Sequence, residues 1–511
     1  MPDILNFNIL TFIPAVGFLG LWFLFSQSRK LSLLFGLIFF AFLASNFAVN
    51  FLNGFGPLKY LYFSKNLILL GVFGVIFKLF KRNKIALILS IAGSIFLCLQ
   101  IFNIHLPPKL MPADLQKMME KGELLVEVEL HNIDEIQKLL EPQNGSIIKA
   151  FSPEEPDMEI DKFYIIDLPD EYSPNKTKLL KELYARDLIT YGEYNDEVSV
   201  APLESTAKSS PSKNLLTNDP LASQQWALNA LDAKKLHQLI IRNQDKIKRK
   251  IKVAVLDTGI ESNHEDLQNA VTSNNSDNGT DPVGHGTHCA GIIGARTNNH
   301  KGISSFAFYD DIIELQSIKV LNSFGFGTQA KIIEGMIEAV DDGADVLSLS
   351  LGGISDNAKQ LAYKAAVDYA RQKNVAVIVS AGNSSSSAGG FTPANVEGVF
   401  CISAIDENMQ LASFSNHVED IPWGFSAPGV NILSTFKNNS YKSLNGTSMA
   451  APYVSSTVAI LKAFHPELTP EGIFEILKFT SIPTKNKRES GPLIQPASAL
   501  EALLNKMEYL N

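Results

Sequence analysis

Three short stretches, far apart in the chain but in a fixed order, hold residue types that could do chemistry together. They are Asp257-Thr258-Gly259, His285-Gly286-Thr287-His288-Cys289-Ala290-Gly291 and Gly446-Thr447-Ser448-Met449-Ala450-Ala451-Pro452. They offer an acid, a base and a nucleophile. A serine hydroxyl is a weak nucleophile at neutral pH and needs a neighbouring base to take its proton. The imidazole doing so needs a buried carboxylate to fix its tautomer and to stabilise the imidazolium that forms. His285 and His288 could instead be read as a metal pair at helical spacing. No third histidine or carboxylate follows at a ligand spacing, and catalytic zinc usually takes three protein ligands, so that reading is poor. Cys289 is read as a packed thiol, because nothing nearby would lower its pKa. Asn383, in Ala381-Gly382-Asn383, has the default reading of a turn asparagine.

The elements that must position these groups follow from the hydrophobic pattern. Lys252–Leu256, Leu315–Val320, Val346–Leu351, Val375–Val379 and Val399–Ala404 are too continuously apolar to be half-exposed strands. Between them, Gln329–Val340 and Lys359–Gln372 show helical periodicity. That alternation implies βαβ units and an α/β, doubly wound parallel sheet covered on both faces. Active groups in such sheets collect at the carboxyl ends of strands, which is where Asp257 falls. His285 and Ser448 open the helical stretches Thr287–Ala295 and Ala450–Phe464. A helix N-terminus favours negative charge, which suits an incipient oxyanion beside Ser448. Gly446, Ala450 and Ala451 leave room for a substrate backbone.

With these flanks the chain resembles the subtilisin-like serine proteases, or subtilases. The resemblance runs from about Asp219 to the C-terminus. It takes in Ser350-Leu351-Gly352-Gly353, Ser380-Ala381-Gly382-Asn383, Thr392-Pro393-Ala394, Ala412-Ser413-Phe414-Ser415 and Ser426-Ala427-Pro428-Gly429. It implies a subtilisin-like fold and a serine endopeptidase in which Ser448 attacks the peptide carbonyl, His285 shuttles the proton and Asp257 orients His285. Asn383 would then donate its amide to the oxyanion. Gly325-Phe326-Gly327 and Ser350-Leu351-Gly352 would be the strands that clasp an extended peptide. The first specificity pocket would be walled by Leu351-Gly352, Ala381-Gly382 and the region of Gly390-Phe391. That wall is uncharged, so apolar or aromatic side chains are expected before the scissile bond. Cys289 would be a buried thiol near the base. No cofactor is implied for catalysis. Asp266 and Asn298 would be side-chain ligands of a structural calcium site, although Lys301 and Ser304-Ser305-Phe306 depart from the family pattern. A non-catalytic peptide-binding regulatory module is the alternative of another class, and a peptide ligase or cyclase the nearer one.

The chain has 511 residues, enough for two or three domains. A net charge of -9 argues against a nucleic-acid partner. Three cysteines, Cys98, Cys289 and Cys401, give no disulfide framework. Ahead of residue 106 lie four apolar runs, roughly Phe7–Phe25, Leu31–Leu52, Tyr60–Phe80 and Ile85–Ile104, each near the ~20 residues a membrane-spanning helix needs. Arg29 and Lys30 fall in the first loop, and Lys78, Lys81, Arg82 and Lys84 around the third run. Four spans put both groups on one side, as positively charged cytoplasmic loops require. The expectation is a four-helix transmembrane region (1–106) with both chain termini outside the cytoplasm. Residues 107–201 read as a small α+β domain. Leu124–Leu130, Phe163–Leu168 and Val198–Val200 are its strands, and Ile133–Leu140 and Lys176–Ala185 its helices. Its position resembles the family's propeptide, a split βαβ unit that inhibits the enzyme, as in a zymogen. Residues 202–220, rich in Ser, Lys, Asn and Pro, read as a linker and candidate processing region. The peptidase domain takes 221–511. The partners expected are protein or peptide substrates, a membrane and the chain's own propeptide-like domain.

Overall fold

The computed structural model describes residues 2–26, 28–52, 58–80, isolated positions between 87 and 94, 122–155, 158–169, 175–200, 203–204, 215–272, 279–309, 312–355 and 360–510. They fall into two units, Met1–Gln116 and Lys117–Asn511.

In the first unit the apolar runs form helices α1 (Pro2–Leu24), α2 (Arg29–Leu52) and α3 (Leu58–Phe80). Phe12, Val16, Phe39, Phe73 and Phe77 make a common core. The Trp22 indole donates to Ser32 Oγ at 3.0 Å. Leu33, Leu37, Phe40, Ile68, Val75 and Leu79 are exposed. The expectation of four spanning helices is not supported here: among the described residues no helix is long and apolar enough to cross a membrane. Part of the apolar surface of these helices packs on one another, and the fourth run lies almost wholly outside the described residues.

The second unit begins with a small sheet. Its elements are β1 (Leu124–Glu127), α4 (Ile133–Leu140), β2 (Ser146–Lys149), β3 (Phe163–Asp167), α5 (Lys176–Ala185) and β4 (Tyr191–Tyr194). The strand order is β2-β3-β1-β4, with every pair antiparallel. Strand β3 lies between β1 and β2, which makes this the split βαβ arrangement. Period-two alternation sends Leu124, Val126 and Ile166 towards Ile136, Leu140, Leu179 and Leu183 of the two helices. Leu125, Phe163 and Ile165 face the other way and join the core of the larger domain. Both helices occupy the expected spans. Strands β2 and β4 are additions to the expected set.

The chain then gives two short strands, β5 (Glu197–Ser199) and β6 (Leu203–Glu204), and helix α6 (Ala233–Arg242). Residues 205–214, the middle of the expected linker, lie outside the described residues. The large domain follows as β7 (Ile251–Asp257), β8 (Val271–Thr272), α7 (His285–Gly294), β9 (Ile313–Lys319), β10 (Phe326–Thr328), α8 (Gln329–Asp341), β11 (Val346–Leu349), β12 (Gly353–Ile354), α9 (Leu361–Gln372), β13 (Ala376–Ser380), β14 (Phe391–Thr392), β15 (Phe400–Ile405), β16 (Gly424–Pro428), β17 (Ile432–Phe436), β18 (Ser440–Asn445), α10 (Thr447–Phe464), α11 (Pro470–Thr480) and α12 (Pro496–Leu510). Seven of these strands form one sheet in the order β16-β15-β13-β11-β7-β9-β8. All its pairs are parallel. Val253 and Val255 of β7 face α7 and α10, whereas Ala254 and Leu256 face α8 and α9. Burial on both faces is why these strands read as unbroken apolar runs.

Candidate active site

Asp257 is the last residue of β7 and His285 the first of α7. The Asp257 carboxylate meets His285 Nδ1 through both oxygens, at 2.8 and 2.9 Å. The Thr258 N–H donates to Asp257 Oδ1 at 2.7 Å and so helps fix the orientation of the carboxylate. Both partners are buried. A buried carboxylate on Nδ1 leaves Nε2 as the nitrogen that exchanges protons. Helix α7 can come this close because residue 286 is glycine. A Cβ there would lie 2.1 Å from the Gly259 carbonyl oxygen.

Asp281, which the sequence motifs do not include, braces this arrangement. Its Oδ1 accepts from Thr258 Oγ1 at 2.8 Å and from the Gly284 N–H at 2.7 Å. Its Oδ2 accepts from the Thr287 N–H at 2.8 Å and from Thr287 Oγ1 at 2.7 Å. One buried carboxylate thus ties the residue after Asp257 to the open N–H groups of the His285 helix. Burial still pushes its pKa up. The available signal was an acid just ahead of a helix start.

Ser448 is the second residue of α10 and is buried. Its hydroxyl donates to the Ser350 carbonyl at 3.1 Å, and Ser350 Oγ donates to the Ser448 carbonyl at 2.9 Å. His285 Nε2 is buried and has no hydrogen-bond partner among the described residues. The proton-transfer bond from Ser448 to His285 is therefore not made in this conformation; such bonds often form only with substrate in place. Asn383 Oδ1 accepts from the Thr447 N–H and from Thr447 Oγ1, both at 2.9 Å. This holds the amide oxygen on Thr447 and leaves Nδ2 on the Gly446 side, 3.4 Å from where a Cβ of residue 446 would sit.

Cys289 is buried behind these groups, and its Sγ donates to the Ser448 carbonyl at 3.5 Å. Burial first, and then the Asp257 charge, push its pKa well above 9.0. Asp257, His285 and Cys289 have ligand atoms within 4.8 Å of one another. The thiol is protonated and His285 Nδ1 is engaged by Asp257, so the set is poorly prepared for a metal. His288 points elsewhere, with Nε2 against the carbonyls of Ile432 and Lys442 at 3.1 and 2.9 Å, and burial lowers its pKa to about 3.

The two expected clasping segments are filled from within the chain. Strand β5 pairs antiparallel with β10, setting Ser199 against Phe326 and Val198 against Gly327. The Val200 N–H donates to the Gly325 carbonyl at 3.1 Å. On its other side Ser199 exchanges hydrogen bonds with Gly352, at 3.2 and 3.3 Å. Glycine is required at residue 353, where a Cβ would lie 2.7 Å from the Glu197 carbonyl oxygen. Leu351 and Ala381 are buried, and the Gly382 N–H donates to Thr447 Oγ1 at 3.1 Å. Gly390 is exposed and closes the turn Ala388–Gly390, off this ladder.

The pair named for calcium is only half assembled. Asn298 Oδ1 accepts from the Asn218 N–H at 3.2 Å; it is Asn299 whose amide meets Asp266, at 3.0 Å. Asp219, also buried, joins them from the supposed linker and accepts from the Asn299 N–H at 2.9 Å. Burial raises the Asp266 pKa, and the charge of Asp219 raises it further. Two buried carboxylates are the hard-oxygen donors a calcium ion would take, whereas the Asn299 side chain donates its NH2 to Asp266 and through Oδ1 accepts from the Lys301 N–H at 2.8 Å. The present donors to Asp266 are Asn299, the Ile303 N–H at 2.8 Å and Tyr441 Oη at 3.0 Å.

Comparison with known proteins agrees with this geometry. Residues 248–496 match the model of the subtilase family. The chain is 39% identical to subtilisin DY of Bacillus licheniformis over 238 residues, which is 45% of this chain and 83% of that protein. It is 39% identical to thermitase of Thermoactinomyces vulgaris over 217 residues, 41% of this chain and 74% of that one. It is 36% identical to subtilisin Savinase of Lederbergia lenta over 259 residues, 50% of this chain and 90% of that one.

Proposed function

The chain belongs to the subtilase family, and on that premise we propose how its subtilisin-type serine endopeptidase chemistry is divided among its residues. Ser448 is the nucleophile, His285 the proton carrier, Asp257 the group that fixes the His285 tautomer, and Asn383 a donor to the oxyanion. The observation carrying this is the two-oxygen contact between Asp257 and His285 Nδ1, at 2.8 and 2.9 Å, on a helix whose Cys289 Sγ reaches the Ser448 carbonyl at 3.5 Å. On attack, the Ser448 proton passes to His285 Nε2, and the carbonyl carbon of the substrate becomes bonded to Oγ. Negative charge then grows on the carbonyl oxygen, where Asn383 Nδ2 and the α10 N-terminus stabilise it. His285 returns the proton to the departing amine. Water repeats the sequence on the acyl-enzyme and releases Ser448.

The test is covalent labelling by a fluorophosphonate in a variant with the cleft opened (Ser199→Pro). Labelling lost with Ser448→Ala and with His285→Ala supports the assignment. Equal labelling of folded Ser448→Ala protein overturns it.

The split βαβ order of residues 124–194 and the seating of β5 in the clasping strands support reading 107–201 as an inhibitory propeptide-like domain. Asp219 and Asp266 would hold a structural calcium that ties the segment around residue 219 to the 297–303 loop. The exposed apolar residues of α2 and α3 support attachment to a membrane, and a four-span arrangement would put the basic residues of the first and third loops on one side with the peptidase outside the cytoplasm. Extraction of the full chain from membranes by detergent but not by carbonate would agree; a wholly soluble chain would remove the tether.

A further inference from the structure

Ser448 sits in a helix that cannot hold it in the ordinary way. In an α-helix each carbonyl accepts from the N–H four residues on. Four residues after Ser448 comes Pro452, which lies inside α10 and has no N–H to give. Its ring also crowds the carbonyl four residues before it, which is that of Ser448. The Ser448 carbonyl must therefore find its donors outside its own helix. Ser448 is only 3% exposed, so leaving that carbonyl unpaired would be costly.

Two buried side chains supply the donors. Ser350 Oγ, on the residue that follows β11, donates to the Ser448 carbonyl at 2.9 Å, and Cys289 Sγ of α7 donates to it at 3.5 Å. The thiol can donate because burial and the Asp257 charge keep its proton on. The two bonds tie Ser448 to different elements. Ser350 joins it to the end of a sheet strand, and the return bond from Ser448 Oγ to the Ser350 carbonyl, at 3.1 Å, closes a two-way clasp. Cys289 stands four residues after His285, one turn along the same helix face. Its bond therefore links the nucleophile to the helix that carries the base.

We propose that Ser350 and Cys289 are positioning residues for the nucleophile: they take the carbonyl that Pro452 leaves without a helical donor, and so set where Ser448 stands relative to His285. This rests on the serine peptidase reading above. Neither side chain takes or gives a proton in the reaction; each acts through Ser448. The grip is on the carbonyl, so the N–H groups at the start of α10 keep their direction towards the oxyanion. Losing the grip displaces the attacking oxygen, and such displacement lowers the rate of attack more than the binding of what is attacked.

The test is a double-mutant cycle in the full-length Ser199→Pro chain, which lacks the N–H that donates to the Gly352 carbonyl. Saturation kinetics of fluorophosphonate labelling separate the maximal rate from the binding constant. Ser350→Ala should lower the maximal rate by about tenfold, the worth of one hydrogen bond, and leave the binding constant unchanged. Cys289→Ala should show a smaller loss of the same kind, because a thiol is a weak donor. Pro452→Ala restores the helical N–H, so adding Ser350→Ala to it should cost less than about twofold. An equal loss in both backgrounds overturns the proposal. So does a Ser350→Ala/Cys289→Ala chain that melts earlier yet labels at the parent's maximal rate. Where Ser350→Ala does not fold, Cys289→Ala with and without Pro452→Ala makes the same comparison, and equal losses again overturn it. If Ser199→Pro folds and Ser448 does not label, the peptidase reading itself fails and takes the proposal with it.

Discussion

Replacing Glu193 by glutamine should remove most of the pH dependence of docking between the small domain and the peptidase. Glu193 sits on β4, 2% exposed, where the small sheet meets the starts of α8 and α9. It accepts from Gln329 Nε2 and from Tyr191 Oη, both at 2.6 Å, and from the backbone of Ala362. Burial outweighs these bonds, and the charge of Asp196 adds to it, so the carboxyl rises from 4.5 to about 7. A carboxyl with a raised folded pKa contributes its stability in the protonated form. The contribution is complete below pH 4.5 and is lost as pH rises through about 7. At ~1.36 kcal/mol per unit, the span corresponds to about 3 kcal/mol. The assay is urea unfolding of the Ser448→Ala chain, with and without Glu193→Gln, from about pH 4 to about pH 8. The stability difference between the two chains should change by about that amount across the window, in favour of glutamine at the high end. Two curves that stay parallel would refute the argument that burial governs this carboxyl.

Three further outcomes are expected. Gly286→Ala should lower the melting temperature and suppress fluorophosphonate labelling together, because the new methyl meets a backbone oxygen that cannot move; overpacking of this kind costs about 1–3 kcal/mol. An unchanged melting curve would show that the α7 contact has slack to spare. Asn383→Ala in the Ser199→Pro background should slow labelling at Ser448 while leaving folding intact. Loss of such a donor costs about 10²–10³ in turnover, a figure that comes from subtilisin itself and is not independent of the resemblance. Calcium at ~100 times its dissociation constant should stabilise the wild type by about 2.7 kcal/mol, and Asp219→Asn should forfeit that gain; identical shifts in both chains would remove Asp219 from the site.

The chemistry is legible in the sequence because each acting residue carries its neighbours with it: Gly286 beside His285, and Gly446 and the alanines beside Ser448. The large sheet is legible because burial on both faces leaves strands without polar positions. What stays hidden depends on partners distant in sequence. Tyr191-Gly192-Glu193-Tyr194 holds a carboxyl group in a buried strand, where Gln329 and Tyr191 donate to it. Ser146–Lys149 is half-exposed and lacks a clear alternation. Val198–Val200 reads as closing the small sheet, yet its pairing lies with β10; apolar strand residues do not name their partner. Asn298 and Asn299 are adjacent and of one type. Their roles separate only through the left-handed turn at Asn298, φ 67°. Length and charge make the apolar runs ahead of residue 106 read as spans, and neither reveals how much surface the helices use on one another.

The union of Glu193 with Gln329 spans 136 positions of sequence, and the elements that receive the small domain all lie downstream of it. On the ribosome, the sheet of residues 124–194 is complete before α8 and α9 exist. Its widest pairing, Leu124 with Tyr194, spans 70 positions, whereas the peptidase must pair Val253 with Val346 across 93, and such non-local parallel pairing is intrinsically slow. Synthesis order thus supplies a finished surface bearing Leu125, Phe163 and Ile165 against which later helices can settle as they emerge. A circularly permuted chain with this sheet at its C-terminus would keep every native contact and lose that head start, so its defect should appear in refolding rate and yield, and hardly at all in equilibrium stability.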